Sequence, residues 1–223
     1  MDLASQASGI GALAEPVRRA LYEYVVSQAE PVSREQAATA VGVPVHTAKF
    51  HLDKLVDEEL LATEFRRLGG RSGPGAGRPS KLYLRGEREF AVSLPDRRYD
   101  VVGHILAAAV EQAAAGTPLE DALGDAATAH GRADGVAITR AHVDQLDGVR
   151  DALTEHGYEA RREEDTVLLA NCPFDALAKE HTALVCGLNR DYVQGLAEGM
   201  GCTEVEARLE PHDGLCCVRT RRR

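Results

Sequence analysis

The chain has 223 residues, of which 44% are hydrophobic, a length that allows two modest domains. It has no apolar run near the ~18–20 residues that a membrane span needs, and its first ten residues lack the basic start and apolar core of a signal peptide, so we expect a cytoplasmic protein. The formal net charge of −9 arises wholly in residues 90–223, with 14 basic and 23 acidic side chains, whereas residues 1–89 have 12 of each. Because phosphate binding depends on local charge, this acidity does not exclude a nucleic-acid partner.

The N-terminal part begins with a predicted amphipathic helix over residues 12–28, which places Leu13, Val17 and Leu21 on one face. A second helix is predicted after Ser33, which with Gln36 forms a capping box, and it is expected to end at Gly42. The helix over residues 12–28 would pack behind the two-helix unit that begins at Ser33.

A third helix is predicted from Pro44 onwards, since proline is favourable in a first helical turn. Its apolar side chains recur at steps of three and four and predict a buried stripe; they are Val45, Ala48, Leu52, Leu55 and Val56. The other side is polar and basic, and the residues expected to face DNA are His46, Thr47, Lys49, His51 and Lys54. Two short helices joined at a glycine indicate a helix-turn-helix; an ordinary helical hairpin is the alternative.

A basic β-hairpin is predicted directly after these helices. Residues 60–68 and 81–85 read as strands, and the glycine- and proline-rich residues between them form its tip. Residues 62–85 contain six basic side chains and one acidic one. The hairpin therefore reads as the wing of a winged helix, and Arg71, Arg78 and Lys81 are expected to contact phosphates. A solvated loop is the alternative.

For the rest of the chain, the sequence predicts helices followed by a small α+β domain. The helices at residues 100–115 and 118–131 are rich in alanine and suit either a dimer contact or an intramolecular core. A helix at 143–156, a hairpin at 158–170, a long helix at 174–199 and closing strands at 204–210 and 215–220 follow, with residues 221–223 as a solvated tail. We thus expect an α+β protein with a winged-helix domain (1–89), a helical dimerisation segment (90–135) and a sensor domain (136–223).

All five cysteines fall within the last 52 residues, at Cys172, Cys186, Cys202, Cys216 and Cys217. Cys172 precedes a predicted helix, whose N-terminus favours the thiolate. The wide spacing lacks the close pairs of zinc ribbons, which favours an iron–sulfur cluster over a structural zinc.

Several other uses of these cysteines remain open. Zinc, with His181 or His212 as further ligands, is one alternative. Buried apolar cysteines are another, and disulfides a third, although a reducing cytoplasm disfavours them. A cysteine-dependent enzyme, using Cys172 or Cys186 with His181, is a remote possibility, since no orienting group or substrate motif accompanies them.

The N-terminal half resembles ArsR-like winged-helix regulators in ALAEPVRRALYEYV, HTAKFHLDKLVDEELL and GRPSKLYLR. The whole chain resembles SufR-type repressors of iron–sulfur-cluster assembly genes, through GRPSKLY, NCPFDALAKEHTALVCGLN and GLCCV. This resemblance implies a homodimer that represses while it holds an iron–sulfur cluster, with [4Fe–4S] preferred over [2Fe–2S]. It also implies Cys172, Cys186 and either Cys216 or Cys217 as ligands.

Together these features predict a DNA-binding transcriptional regulator and redox sensor rather than an enzyme. The alternative is a zinc- or thiol-responsive repressor of the same architecture.

Overall fold

The computed structural model describes residues 3–67, 79–138 and 144–223, and the chain divides into two units, Met1–Val92 and Ser93–Arg223. The secondary structure is a mixture of α-helices and antiparallel sheets, so the predicted α+β class is confirmed. None of the described helices is long and apolar enough to cross a membrane.

The first unit contains four described helices and a three-stranded sheet. In chain order the elements are α1 (Leu3–Ala12), α2 (Pro16–Ser27), β1 (Val32–Ser33), α3 (Arg34–Val41), α4 (Val45–Asp57), β2 (Leu61–Arg66) and β3 (Ser80–Arg85). The sheet is antiparallel in the order β1-β3-β2. Helix α4 therefore leads directly into a hairpin whose second strand also pairs with β1, which is the order of elements in a winged helix.

Two local predictions in this unit hold and one does not. The Ser33 side chain accepts a hydrogen bond from the Gln36 amide at 3.2 Å, and the Gln36 side chain accepts one from the Ser33 amide at 2.8 Å, as a capping box requires. Gly42 ends α3 at a φ of 74°, in the left-handed region that glycine adopts without strain. Instead of one helix over residues 12–28, however, α1 ends at Ala12 and α2 begins after Glu15, whose carboxylate caps it.

The core of the first unit lies between α2, α3, α4 and the sheet. Its fully buried members come from all of these elements and include Leu21, Ala37, Ala48, Leu52, Leu55, Leu61 and Tyr83. Ala48, Leu52 and Leu55 confirm the predicted apolar stripe of α4, but Val45 is 43% exposed. Val45 is the first residue of the helix.

The second unit combines helices with a four-stranded sheet. Its elements are α5 (Tyr99–Ala114), α6 (Leu119–Ala137), α7 (Gln145–Glu155), β4 (Ala160–Glu163), β5 (Thr166–Leu169), α8 (Asp175–Glu180), α9 (Thr182–Gly199), β6 (Val205–Leu209) and β7 (Val218–Arg222). The sheet is antiparallel in the order β4-β5-β7-β6. Helices α5 and α6, which we expected in a separate segment, contribute Val101, Ile105 and Ala126 to the same core as the strands.

The predicted long helix over residues 174–199 is wrong, because the chain breaks at His181, with φ −130° and ψ 50°, and forms α8 and α9. The residues predicted as a solvated tail are exposed at Arg222 and Arg223 but continue the final strand. Arg221 and Arg222 belong to β7, and the Arg222 guanidinium pairs with Asp144 at 3.0 Å.

Helices α6 and α9 pack so closely that their backbones touch. A Cβ atom added at Gly131 would lie 2.0 Å from the Tyr192 carbonyl oxygen, and one at Gly195 would lie 2.2 Å from that of Thr128. Gly135 and Gly199 make equally close approaches one turn further on. Only glycine permits such contact, so these four residues fix the position of α9 against α6.

Candidate DNA interface and cysteine centre

Helix α4 presents a mixed apolar and basic surface to solvent. His46, Lys49 and Phe50 are exposed, and Thr47 is half-buried beside them. Phe50 is 65% exposed, which is unusual for an aromatic side chain in a folded unit. This surface lies on the N-terminal two-thirds of the helix, the part that a helix-turn-helix uses to contact base edges.

The carboxylate of Asp53 joins α4 to the wing. It accepts hydrogen bonds from Lys49 at 3.1 Å, from Lys81 on β3 at 2.7 Å and from the buried Tyr83 hydroxyl at 2.9 Å. Partial burial opposes ionisation, but these hydrogen bonds prevail and lower the pKa of Asp53 to about 2. The ionised Asp53 carboxylate therefore holds both Lys49, which was predicted to face DNA from α4, and Lys81, which was predicted to contact a phosphate.

A groove of about 550 Å³ opens beside this carboxylate, between α4 and the base of the wing. Its lining contains three cations, Arg34, Lys49 and Lys81, and the two carboxylates that pair with them, Glu35 and Asp53. Phe65 contributes an aromatic ring that is 64% exposed. The cations exceed the carboxylates by one, so the groove keeps a positive balance that suits a phosphate backbone.

The structure corrects the predicted orientation of His51. Its side chain is only 12% exposed and lies against α2, where its Nδ1 accepts a 3.4 Å hydrogen bond from Arg18 and lies 3.5 Å from the Glu15 carboxylate. Lys54 is more exposed but pairs with Glu58 at 2.7 Å. Of the predicted wing contacts, Arg71 and Arg78 lie outside the described residues.

The cysteines occupy four places in the second unit. Cys172 lies in the loop between β5 and α8, Cys186 in the second turn of α9, Cys202 after the end of α9, and Cys216 and Cys217 in the loop before β7 rather than on the final strand. The 172 and 216 loops are joined, because the Cys216 amide donates to the Leu169 carbonyl at 2.9 Å.

Cys172 and Cys216 form one thiol pair. A hydrogen bond from Cys216 lowers the pKa of Cys172 against the effect of burial, and the Phe174 amide assists. The nearby Arg97 guanidinium acts in the same direction, and it also holds the loop through the Cys172 carbonyl at 2.5 Å. The hydrogen bond to Cys172 and burial raise the pKa of Cys216. The proton of this pair therefore resides on Cys216.

Cys186 and Cys217 form a second pair. Burial and the hydrogen bond to Cys217 raise the pKa of Cys186 to about 12, and the charge of Cys172 adds to the effect, so the two pairs lie within electrostatic reach of each other. Cys202 stands apart: its thiol is 3.9 Å from the Gln145 carbonyl, and burial alone raises its pKa.

Within the part of the chain that the structure describes, no three or more His, Cys, Asp or Glu side chains are grouped so that they could hold a metal ion. The four thiols thus lie as two neighbouring pairs and not as a closed cage. His181 and His212, the predicted additional ligands, are both exposed.

A buried polar pair supports the first thiol pair. Asn189, which is 1% exposed, donates from Nδ2 to the Cys216 sulfur at 3.3 Å and accepts a hydrogen bond from the Tyr158 hydroxyl at 2.5 Å. Cys172 and burial raise the pKa of Cys216, and the Val218 amide only partly offsets them. A neutral thiol is a weak acceptor, so the Asn189 hydrogen bond is weak while Cys216 holds the proton of the pair, and it strengthens when that proton is lost.

Comparison with known proteins gives one match. Residues 13–64, from the end of α1 to β2, match the family model of a helix-turn-helix domain. The N-terminal unit is a winged helix-turn-helix DNA-binding domain. A search of curated proteins found no match for the chain. The helix-turn-helix match supports a DNA-binding transcriptional regulator.

Several residues of the winged-helix domain were not foreseen from sequence. Asp53 and Tyr83 were absent from the predicted interface, as were Arg34 and Phe65 in the groove. Only Asp53 had a local signal, since it lies four residues after Lys49 and can pair with it along the helix. The other contacts join residues that are distant in sequence.

Proposed function

We propose that the protein is a homodimeric repressor whose operator binding depends on an iron–sulfur cluster held by Cys172, Cys186, Cys216 and Cys217, with iron–sulfur-cluster assembly genes as its targets. The observation that carries the proposal is that four of the five cysteines lie as two neighbouring thiol pairs, Cys172 with Cys216 and Cys186 with Cys217, and that a buried amide supports one of them. Asn189 Nδ2 donates to the Cys216 sulfur at 3.3 Å.

The four cysteines have the ligand chemistry that an iron–sulfur cluster needs. Four thiols from two loops and one helix provide the thiolate ligation that a [4Fe–4S] cluster requires, and hydrogen bonds to the sulfurs favour the deprotonated form. Because the thiols lie as two pairs, holding a cluster requires the two loops to adjust. Cys202 is left out, since it contacts Gln145 and lies apart from the pairs.

The bound cluster would supply oxidant-sensitive bonds between thiolates of different elements. The chain's own residues perform the remaining tasks. Arg97 holds the 172 loop, Asn189 donates to the Cys216 sulfur, and the apolar core around them limits access of water. The pKa of Cys172 is lowered, so this thiol is the natural first ligand.

A second copy of the chain is the partner that fits helix α5. Gly103, Ala107, Val110 and Ala114 recur at steps of three and four on its exposed side, and no charged residue lies between Asp100 and Glu111. An uncharged helical stripe of small residues suits close packing against its own copy. A dimer also presents two recognition helices, as a two-fold symmetric operator demands.

The second unit links the cysteines to that helix through its own packing. Cys186 lies on α9, the glycine contacts join α9 to α6, and α6 packs against α5. A change at the thiols can therefore alter α5 and the dimer contact. To switch an operator from nearly full to nearly empty, the two states need affinities that differ by about 10⁴, or ~5.5 kcal/mol.

The test uses protein purified without oxygen, with iron, sulfide, zinc, visible absorbance and sedimentation measured on one sample. The comparison is wild type, Cys172→Ser and the matched control Cys202→Ser. We expect brown dimeric wild type and Cys202→Ser, whereas Cys172→Ser should be colourless, remain folded and bind operator DNA far more weakly.

Three outcomes would contradict the proposal. Colourless wild type with stoichiometric zinc would favour a zinc-responsive repressor. Iron loss in Cys202→Ser but not in Cys172→Ser would mean that the ligands are assigned wrongly. Full operator affinity in iron-free Cys172→Ser would mean that the cysteines are not the switch.

A further inference from the structure

The exposed ring of Phe50 has no role in the core of the winged-helix domain. It is 65% exposed and contacts its neighbour His51 edge to face, with ring centroids 5.2 Å apart. Leaving so much aromatic surface in water is unfavourable. The position on α4, between Lys49 and the half-buried Thr47 on the exposed face, suggests that the ring is covered when DNA binds.

Only one base offers an apolar group in the major groove. Thymine carries a C5-methyl there, and phenylalanine is among the side chains that contact it, whereas the other base edges present hydrogen-bonding groups that a ring of carbon atoms cannot pair. Phe50 lies with Lys49 and His46 on the same face of the helix. A ring flanked by polar and basic side chains would approach a thymine while its neighbours contact phosphates and adjacent bases.

We propose that Phe50 is a specificity-determining residue that selects thymine at one position of each operator half-site by packing on its methyl group. The proposal rests on DNA binding by α4 and is independent of the cysteine centre. It names the base that Phe50 reads and leaves the bases read by His46 and Thr47 to be found.

The experiment selects binding sites from random-sequence duplex DNA with the full-length protein, purified without oxygen. Wild type, Phe50→Ala and Ile10→Ala are selected in parallel. Ile10 is the control, because it is an exposed apolar residue (44%) of the same unit that lies on α1, outside the groove and the exposed face of α4. Wild type and Ile10→Ala should both enrich a motif with a fixed thymine, whereas Phe50→Ala should lose the preference for thymine over cytosine at that position.

A second measurement changes the DNA instead of the protein. Deoxyuridine replaces the fixed thymine in the selected duplex, which removes the methyl group and keeps every hydrogen-bonding group. We expect wild type to lose about fourfold in affinity per half-site, equivalent to about 0.8 kcal/mol at 1.4 kcal/mol per factor of ten. Phe50→Ala should bind the two duplexes equally, and Phe50→Leu should keep part of the preference.

The failures are distinguishable. If wild type enriches a motif but Phe50→Ala enriches the same one, or if deoxyuridine at every thymine leaves wild-type affinity unchanged, Phe50 does not read thymine, although DNA binding stands. A change in oligomeric state without a change in motif would make Phe50 a protein contact and overturn the proposal. If wild type enriches nothing, DNA recognition by this helix fails, and the inference fails with it.

Discussion

Replacing Asp53 by Asn should weaken the first unit and strengthen its non-specific binding to DNA. The asparagine keeps an oxygen that can accept from the Tyr83 hydroxyl but removes the charge that holds Lys49 and Lys81. A fall in the pKa of Asp53 from 3.8 to about 2 corresponds to roughly 2 kcal/mol at 1.36 kcal/mol per pKa unit. Because a third of the side chain is exposed to screening solvent, we expect a loss of about 1 kcal/mol.

The dependence on pH has a definite sign. The pKa of Asp53 is lower in the folded state than in the unfolded state, so protonation favours unfolding. The stabilising contribution is present above about pH 4 and is lost as the pH falls towards about 2. The stability difference between wild type and Asp53→Asn should therefore close over that range.

Hydrogen exchange read by mass spectrometry on the full chain measures this effect locally. Peptides from α4 and β3 of Asp53→Asn should exchange about fivefold faster than wild type at pH 7, and by a smaller factor at pH 3. Asp57→Asn, an exposed position on the same helix, is the matched control and should change little. Equal exchange in Asp53→Asn and wild type at pH 7 would refute the ionic link between α4 and the wing.

The same variant should bind random DNA more tightly. A carboxylate about 7 Å from a phosphate in water costs about 0.6 kcal/mol, so removing it should raise non-specific affinity about threefold. Unchanged or weaker binding in titrations at low salt would mean that Lys49 and Lys81 do not contact the phosphates, or that they need Asp53 to hold them in place.

Two further predictions concern the second unit. Gly195→Ala should lower the free energy of unfolding of this unit by about 1–3 kcal/mol or more, because the added methyl meets the α6 backbone. Gly187→Ala on the same helix is the control, since its methyl meets nothing within 4 Å and the change should be neutral or stabilising. Urea unfolding of the iron-free protein measures both. Asn189→Leu and Tyr158→Phe should both lower the free energy of unfolding by about 1–3 kcal/mol, because each leaves a buried polar group unpaired. Only Asn189→Leu should speed the loss of visible absorbance in air, since only this change removes the N–H donor to the Cys216 sulfur. Equal bleaching rates in those two variants would contradict a tuning role for that hydrogen bond.

Local signals in the sequence were enough for the two ends of α3, but not for the break between α1 and α2. The Ser33–Gln36 capping box and the glycine at the end of α3 act within a few residues, so a pattern of residues specifies them. The orientation of His51 could not be read in this way. Its ring turns towards α2 because Glu15 and Arg18 offer it partners, and that contact spans more than 30 residues.

The cysteine centre shows the same limit. The sequence places five cysteines near one another in the chain, and their spacing cannot separate Cys202 from the rest. The separation depends on where α9 ends and on which carbonyl Cys202 meets. The sequence shows a pair of glycines four residues apart in α6, Gly131 and Gly135, and another in α9, Gly195 and Gly199. The spacing within each pair does not show that the two pairs face each other.

The two ends of α9 are held in different ways, and this difference indicates where a change at the cysteines would act. Gly195 and Gly199 fix the C-terminal half by backbone contact with α6, which leaves it almost no freedom to move. The N-terminal end follows the break at His181, begins with exposed residues and carries Cys186. Between them Asn189 is tied to Cys216. A change in thiol ligation should therefore move α8 and the first turns of α9, up to Asn189, more than the C-terminal half of the helix.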